Sequence, residues 1–420
     1  MSIKGHIDRC DKERLEGWVF SPAEPDRHFT LQVFTGSLLL GETVADRLRP
    51  DLHAAGYGTG RCAFSYQMPH FLPKGALRNI RMRITDTIAW MLPDKDTNRG
   101  ADPEPDEEEA APAPAEAVAA QPFVSKFGGL WIDRIDWIDH LAAKHRKGEI
   151  NDDLAVLIFR FVRDGHLVFR SAVPQATVNA LNDAIERVWN NPPKGLMIET
   201  FEPDGQMRVI PPDIAFREGR TKLLDLYAFS NAARRAIAAP AVIAFLAAIF
   251  EDTPKVIQSL TLWNSSPQLM HKDSAYVKIE PNPLALAATW LALEDVKPGT
   301  GEPEFYIGSH RAPDYLFGGM SKWMEGFDRE HERFLKSLNE DAEKYGHTRG
   351  SFQAKKGDVL LWHADLAHSD AKVTRPGATR RSMVTHFTAA QQQPFYRRHN
   401  QHAELVSASC VFVSQFGDVV

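Results

Sequence analysis

Residues 101–120 read ADPEPDEEEAAPAPAEAVAA, and no other stretch constrains the chain so strongly. They hold seven acids, four prolines and eight alanines, with no lysine or arginine. Such a stretch cannot bury enough apolar surface to offset the entropy of ordering it. Proline stiffens it and like charges extend it. A chain of 420 residues interrupted in this way folds on either side of the stretch. The expected organisation is a module over residues 1–97, a linker over 98–122 and a larger domain over 123–420. The formal net charge of the chain is −6 while this stretch alone carries −7, so the remainder is close to neutral. The acidity is thus a property of this stretch; with a net charge of −6 and a pI near 6.3 nothing suggests binding driven by phosphate neutralisation, and no nucleic-acid partner is expected.

The three cysteines, Cys10, Cys62 and Cys410, are far apart and odd in number. They do not form a disulfide framework and fit a reducing compartment. The first residues are charged and lack the apolar core of a signal peptide. The longest apolar run, 236–250, is interrupted by Pro240 and is shorter than the roughly 20 residues a membrane helix needs. A cytoplasmic protein with no membrane span is expected.

In the N-terminal module Phe29, Leu31 and Val33 alternate with polar neighbours, as do Cys62, Phe64 and Tyr66, and Ile80, Met82 and Ile84. Period-two patterning broken by Gly and Pro predicts a small antiparallel β-sandwich with no helix-length apolar stripe. It carries no catalytic constellation. A protein or glycan partner is the role such a module suits.

The larger domain begins with helix-spaced stripes at Leu154, Leu157, Ile158, Phe161 and Val162, and at Val178, Leu181, Ile185 and Val188. A third helix is predicted from Asn231 to Phe250, broken near Pro240. From Val256 onward short β-prone runs dominate. Helices first and strands later give an α+β class, the strands closing as a sandwich or barrel.

His-x-Asp occurs four times: His6/Asp8, His271/Asp273, His363/Asp365 and His368/Asp370. The spacing is frequent enough by chance that context has to choose. His271-Lys-Asp273 precedes a strand-like run, and residues i and i+2 of a strand share a face. One imidazole and one carboxylate on one face, joined by a second histidine, make a facial triad that leaves three metal positions open, the ligand set of non-haem Fe(II) oxygenases. His363 and His368 both lie beyond the apolar run at Val359–Trp362. Arg380 and Arg381 open another strand-like run, and an arginine suits the far carboxylate of a keto-acid cosubstrate.

Residues 123–420 resemble the phytanoyl-CoA dioxygenase family of Fe(II)/2-oxoglutarate oxygenases, whose fold is a double-stranded β-helix. The resemblance rests on His271-x-Asp273 together with Lys222-Leu-Leu-Asp225-Leu, Trp290-Leu-Ala-Leu-Glu-Asp-Val, Gly308-Ser309-His310, and Gly357-Asp358 through His368 with Arg380 twelve residues on. It implies that His271, Asp273 and His368 bind iron. Its spacing favours His368 over His363 and Arg380 over Arg381. Arg380 is then the partner of the 2-oxoglutarate far carboxylate, with Lys222, Trp290 and Thr261 lining that pocket.

The implied activity is hydroxylation of a small molecule (lipid, amino acid or secondary metabolite) using O2, with release of succinate and CO2. Retention of Asp273 favours hydroxylation over halogenation. Asp370 departs from the family, which often has a small polar residue there, and an acid would oppose an anionic cosubstrate unless it faces away. The alternative is a non-catalytic binding or scaffold protein on a degenerate oxygenase fold. The segment Asp314–Gly350 interrupts the strands and reads as a helical lid.

Overall fold

Alternating apolar residues near the N-terminus produce strands that bury every second side chain, as in Thr30–Thr35, where Leu31 and Val33 are fully buried. The protein is seen in a computed structural model that describes residues 3–35, 38–68, 77, 80–85, 90–91, 93, 123–201, 206–265, 269–375 and 377–419. The expected linker, 98–122, lies outside the described residues. The chain divides into two compact units, Met1–Pro122 with Ile135–Phe159, and Phe123–Arg134 with Arg160–Val420. Residues 135–159, expected with the larger domain, thus group with the first unit.

In the first unit two four-stranded antiparallel sheets form. One orders Lys4–Cys10, Arg14–Phe20, Arg61–Gln67 and Arg47–Leu48; the other orders Leu38–Val44, Thr30–Thr35, Ile80–Ile84 and Trp90–Met91. The Tyr66 hydroxyl of one sheet donates to the Leu40 carbonyl of the other at 2.8 Å. A one-turn helix, Pro50–Ala54, interrupts the strands where no helix is expected. Proline at its first position needs no amide partner and starts it.

Of the helices that the apolar stripes predict, Asp152–Asp164 is shared between the units and the later ones lie in the second. Gln175–Asn190 buries Val178, Leu181, Ile185 and Val188. The predicted third helix is two, Asn231–Ile237 and Pro240–Phe250, bent by 63° where Pro240 denies an amide to the first and starts the second. Among the described residues no single helix is long and apolar enough to cross a membrane.

The strands make one large and several small sheets. Along the large sheet run Met207–Ile210, Met197–Phe201, Lys222–Leu224, Pro254–Leu262, Ser382–Ala389, Leu286–Ala292, Val359–His363 and His166–Phe169. A three-stranded sheet orders Arg349–Ser351, Pro303–Tyr306 and His368–Asp370. Ala288, Trp290, Leu360 and Trp362 of the large sheet and Phe305 of the small one share one buried cluster, so the sheets face each other across a core. Cross-strand pairing fixes which side chains look into it. Trp290 sits opposite both Val384 and Leu360, and Ala288 opposite both His386 and Trp362.

Candidate metal centre

The centre is built where the small sheet meets the segment before Asp273. His271 and His368 form an isolated antiparallel bridge, each amide donating to the other's carbonyl at 2.9 Å. Their rings follow the same local plan. His271 Nδ1 lies 2.9 Å from the Leu269 carbonyl, and His368 Nδ1 lies 2.9 Å from the Leu366 carbonyl. A carbonyl can only accept, so each Nδ1 carries the proton and each Nε2 presents its lone pair.

Asp273 arrives differently from the expected strand. His271 lies in the bridge, but Asp273 opens a 3₁₀ turn, Asp273–Ala275, and the next strand is only Ile279–Glu280. The turn, not a shared strand face, brings the carboxylate to the imidazoles. Asp273 Oδ1 lies 3.8 Å from His271 Nε2 and 3.6 Å from His368 Nε2. Ligand atoms of all three residues lie within 4.8 Å of one another. The other oxygen is held from the core, with Trp362 Nε1 donating to Oδ2 at 2.8 Å and His386 Nε2 at 3.5 Å from it.

The electrostatics follow the geometry. Burial, reinforced by His368, pushes the His271 imidazole down to about 4, which favours the neutral, ligating form. Burial alone would raise the Asp273 carboxyl, but His368, His386 and His271 outweigh it and hold the group well below the usual carboxylate range. Two imidazoles that turn their Nε2 atoms toward one carboxylate are a donor set that fits a divalent first-row ion.

A cavity of about 90 Å³ continues from this cluster between the sheets, lined among others by Lys222, Leu260, Leu262, Trp290, Asp370, Arg380, Val384 and His386. Arg380 is 1% exposed, two residues before its strand begins, and its guanidinium carbon lies 5.4 Å from the Trp290 ring centroid. Its Nη2 donates to Asp370 Oδ2 at 2.8 Å, while Nε and Nη1 are buried with no partner among the described residues. Buried donors of a charged group without acceptors are rare and point to a missing anion. Lys222 Nζ pairs with Glu199 at 2.8 Å.

Of the residues singled out from sequence, His271, Asp273, His368, Lys222, Trp290 and Arg380 converge on this cavity. Thr261 does not. It sits between Leu260 and Leu262 on the strand and opposite Leu223 and Met383, so it faces the other side of the sheet. His363 is also elsewhere, with Nε2 3.2 Å from Asp133 Oδ2. Arg381 binds Glu294 at 3.1 Å. Asp370 faces Arg380 rather than away; burial raises its carboxyl despite the nearby guanidinium. Trp362 and His386 were missed. Their alternation with Leu360 and Val384 on core strands was the available signal, but only the strand register turns it into a position.

Two packed sheets holding two histidines, a carboxylate and a buried arginine on one cavity fit a metal-dependent oxygenase of the non-haem type. The chain belongs to the phytanoyl-CoA dioxygenase family, whose model, Phytanoyl-CoA dioxygenase (PhyH), matches residues 161–381, more than half of its length. No curated protein matches it. Among solved structures it is similar to the non-heme alpha ketoglutarate dependent epimerase SnoN from nogalamycin biosynthesis, at 18% identity and a TM-score of 0.43, covering 57% of this chain and 84% of that one. The carbocyclase SnoK from the same biosynthesis gives 18% identity and a TM-score of 0.43, covering 56% and 83%. EctD from S. alaskensis with bound Fe gives 18% and 0.41, covering 55% and 74%.

Proposed function

We propose that the chain is an Fe(II)/2-oxoglutarate-dependent hydroxylase of a small molecule, built on a double-stranded β-helix. In this reading residues 123–420 are the catalytic domain, 98–122 the linker and 1–97 a separate β-sandwich module. His271, Asp273 and His368 hold the iron. Arg380 takes the far carboxylate of 2-oxoglutarate, with Lys222 and Trp290 beside it. The observation that carries the reading is the conjunction, on one cavity, of three converging ligand atoms with two buried nitrogens of Arg380 that have no partner among the described residues.

Bound there, iron with 2-oxoglutarate and O2 supplies the oxidising power that hydroxylates a C–H bond and leaves succinate and CO2. The protein's own part is positional. The Leu269 and Leu366 carbonyls fix the imidazole tautomers, and Trp362 holds Asp273 Oδ2 so that Oδ1 faces the ion. Leu260, Leu262, Trp290 and Val384 line the cavity with apolar surface, which lowers the local dielectric and strengthens the Arg380 contact.

The test is anaerobic titration of the Fe(II) protein with 2-oxoglutarate, followed by the visible metal-to-ligand charge-transfer band. The band is expected in the native protein and absent in His271→Ala. A native protein that binds iron yet develops no band on adding 2-oxoglutarate would remove the cosubstrate from the proposal.

A further inference from the structure

Arg380 has two places to grip a carboxylate with parallel N–H groups, the Nε/Nη2 side and the Nη1/Nη2 end. Nη2 lends one N–H to each, and Asp370 Oδ2 takes one of these two at 2.8 Å, leaving its charge beside the other. Asp370 is itself fixed, since the same oxygen accepts from the Ser265 hydroxyl at 2.9 Å. The guanidinium is clamped against Trp290 and is 1% exposed, so it has little room to swing away. The second cation on the cavity, Lys222, is engaged by Glu199 at 2.8 Å. Two cations therefore already face two anions at this end.

We infer that Asp370 is a specificity-determining residue that weakens the preference of this cavity for a dicarboxylate over a monocarboxylate 2-oxo acid. The inference rests on the proposed use of a 2-oxo acid cosubstrate. A ligand carboxylate can reach the free Nε or Nη1 of Arg380, but it shares Nη2 with a fixed anion and is repelled by it in a buried setting where charges are poorly screened. A ligand with a neutral tail meets no such repulsion, and the apolar side chains of Leu260, Leu262 and Val384 on the same cavity suit it. The penalty therefore falls on one class of ligand, which separates it from a general structural role of Asp370.

The experiment measures anaerobic binding of 2-oxoglutarate and of 2-oxopentanoate, its analogue lacking the far carboxylate, to full-length Fe(II) protein by calorimetry. Native protein is compared with Asp370→Asn and, as a second variant that keeps a hydroxyl for Ser265, Asp370→Ser. The expected result is 2-oxoglutarate binding tightened about tenfold or more in the variants, with 2-oxopentanoate changed by less than about twofold. Native protein that binds 2-oxoglutarate, with variants that bind it no better or that change both ligands alike, overturns the inference alone. If native protein and variants bind neither acid although they bind iron, the cosubstrate reading falls and the inference with it.

Discussion

Asp225 adopts a left-handed backbone conformation, with φ of 48°, and is 1% exposed. Its carboxylate accepts from the Ser259 amide and the Ser414 hydroxyl, both at 2.8 Å. Burial nevertheless outweighs these bonds and pushes the carboxyl up to about 6 from 3.8. Between those values the folded protein keeps a proton that the unfolded chain has released. The associated stability is thus full below about pH 4 and is lost as pH rises through 6, a change of about 3 kcal/mol. Asp225→Asn, which can accept from Ser259 and donate to Ser414, is expected to abolish that dependence; urea unfolding at pH 4.5 and pH 7.5 checks it. At the metal centre, Trp362→Phe removes the donor to Asp273 while keeping an aromatic side chain, and is expected to weaken iron affinity about 10- to 100-fold, read by competition with a chelating dye. His271 and Asp273 were legible because ligand chemistry and spacing along the chain are both local signals, whereas His368 was chosen over His363 only through the family resemblance. Trp362, His386 and the inward turn of Asp370 were not, because their positions depend on which strands lie side by side.

At the scale of elements, the helices were readable since one stripe of apolar residues is enough to define each, and Pro240 marks its own break. The segment around Asp273 was misread as a strand because a short run of small and aromatic residues carries no period. What holds that turn in place is long-range. Ser274 donates to Asp365, and Lys322, 4% exposed, bridges Asp365 Oδ2 at 2.6 Å and Asp314 Oδ1 at 2.5 Å. A residue of the expected lid segment therefore ties it to the turn that carries a metal ligand. Within that segment the helix His331–Tyr345 buries Phe334, Leu338 and Ala342, whereas Met320 is 70% exposed. Lys322→Met leaves two carboxylates without their cation and is expected to cost about 3 kcal/mol, with faster proteolytic cutting between residues 314 and 330. Adding Asp365→Asn to that variant is expected to restore part of the loss, since it removes one stranded charge. Thermal unfolding of the single and double variants gives the comparison.

At the scale of the whole molecule, the division expected from the acidic stretch at 101–120 lies outside the described residues, and the grouping of residues 135–159 with the first unit had no signature in composition or period. If 123–420 is a self-sufficient catalytic domain, a chain beginning at residue 123 is expected to keep the 2-oxoglutarate-dependent absorption band with an affinity within about threefold of the full protein. Loss of the band in a folded fragment would return part of the site's support to the N-terminal residues. The reciprocal amide bonds between His271 and His368 carry a last consequence. Two of the three donor groups hang from a single rung of main chain, so their separation is set by peptide geometry whether or not an ion sits between them. Stripping the ion is therefore expected to leave the rung intact, ready to take up the next one.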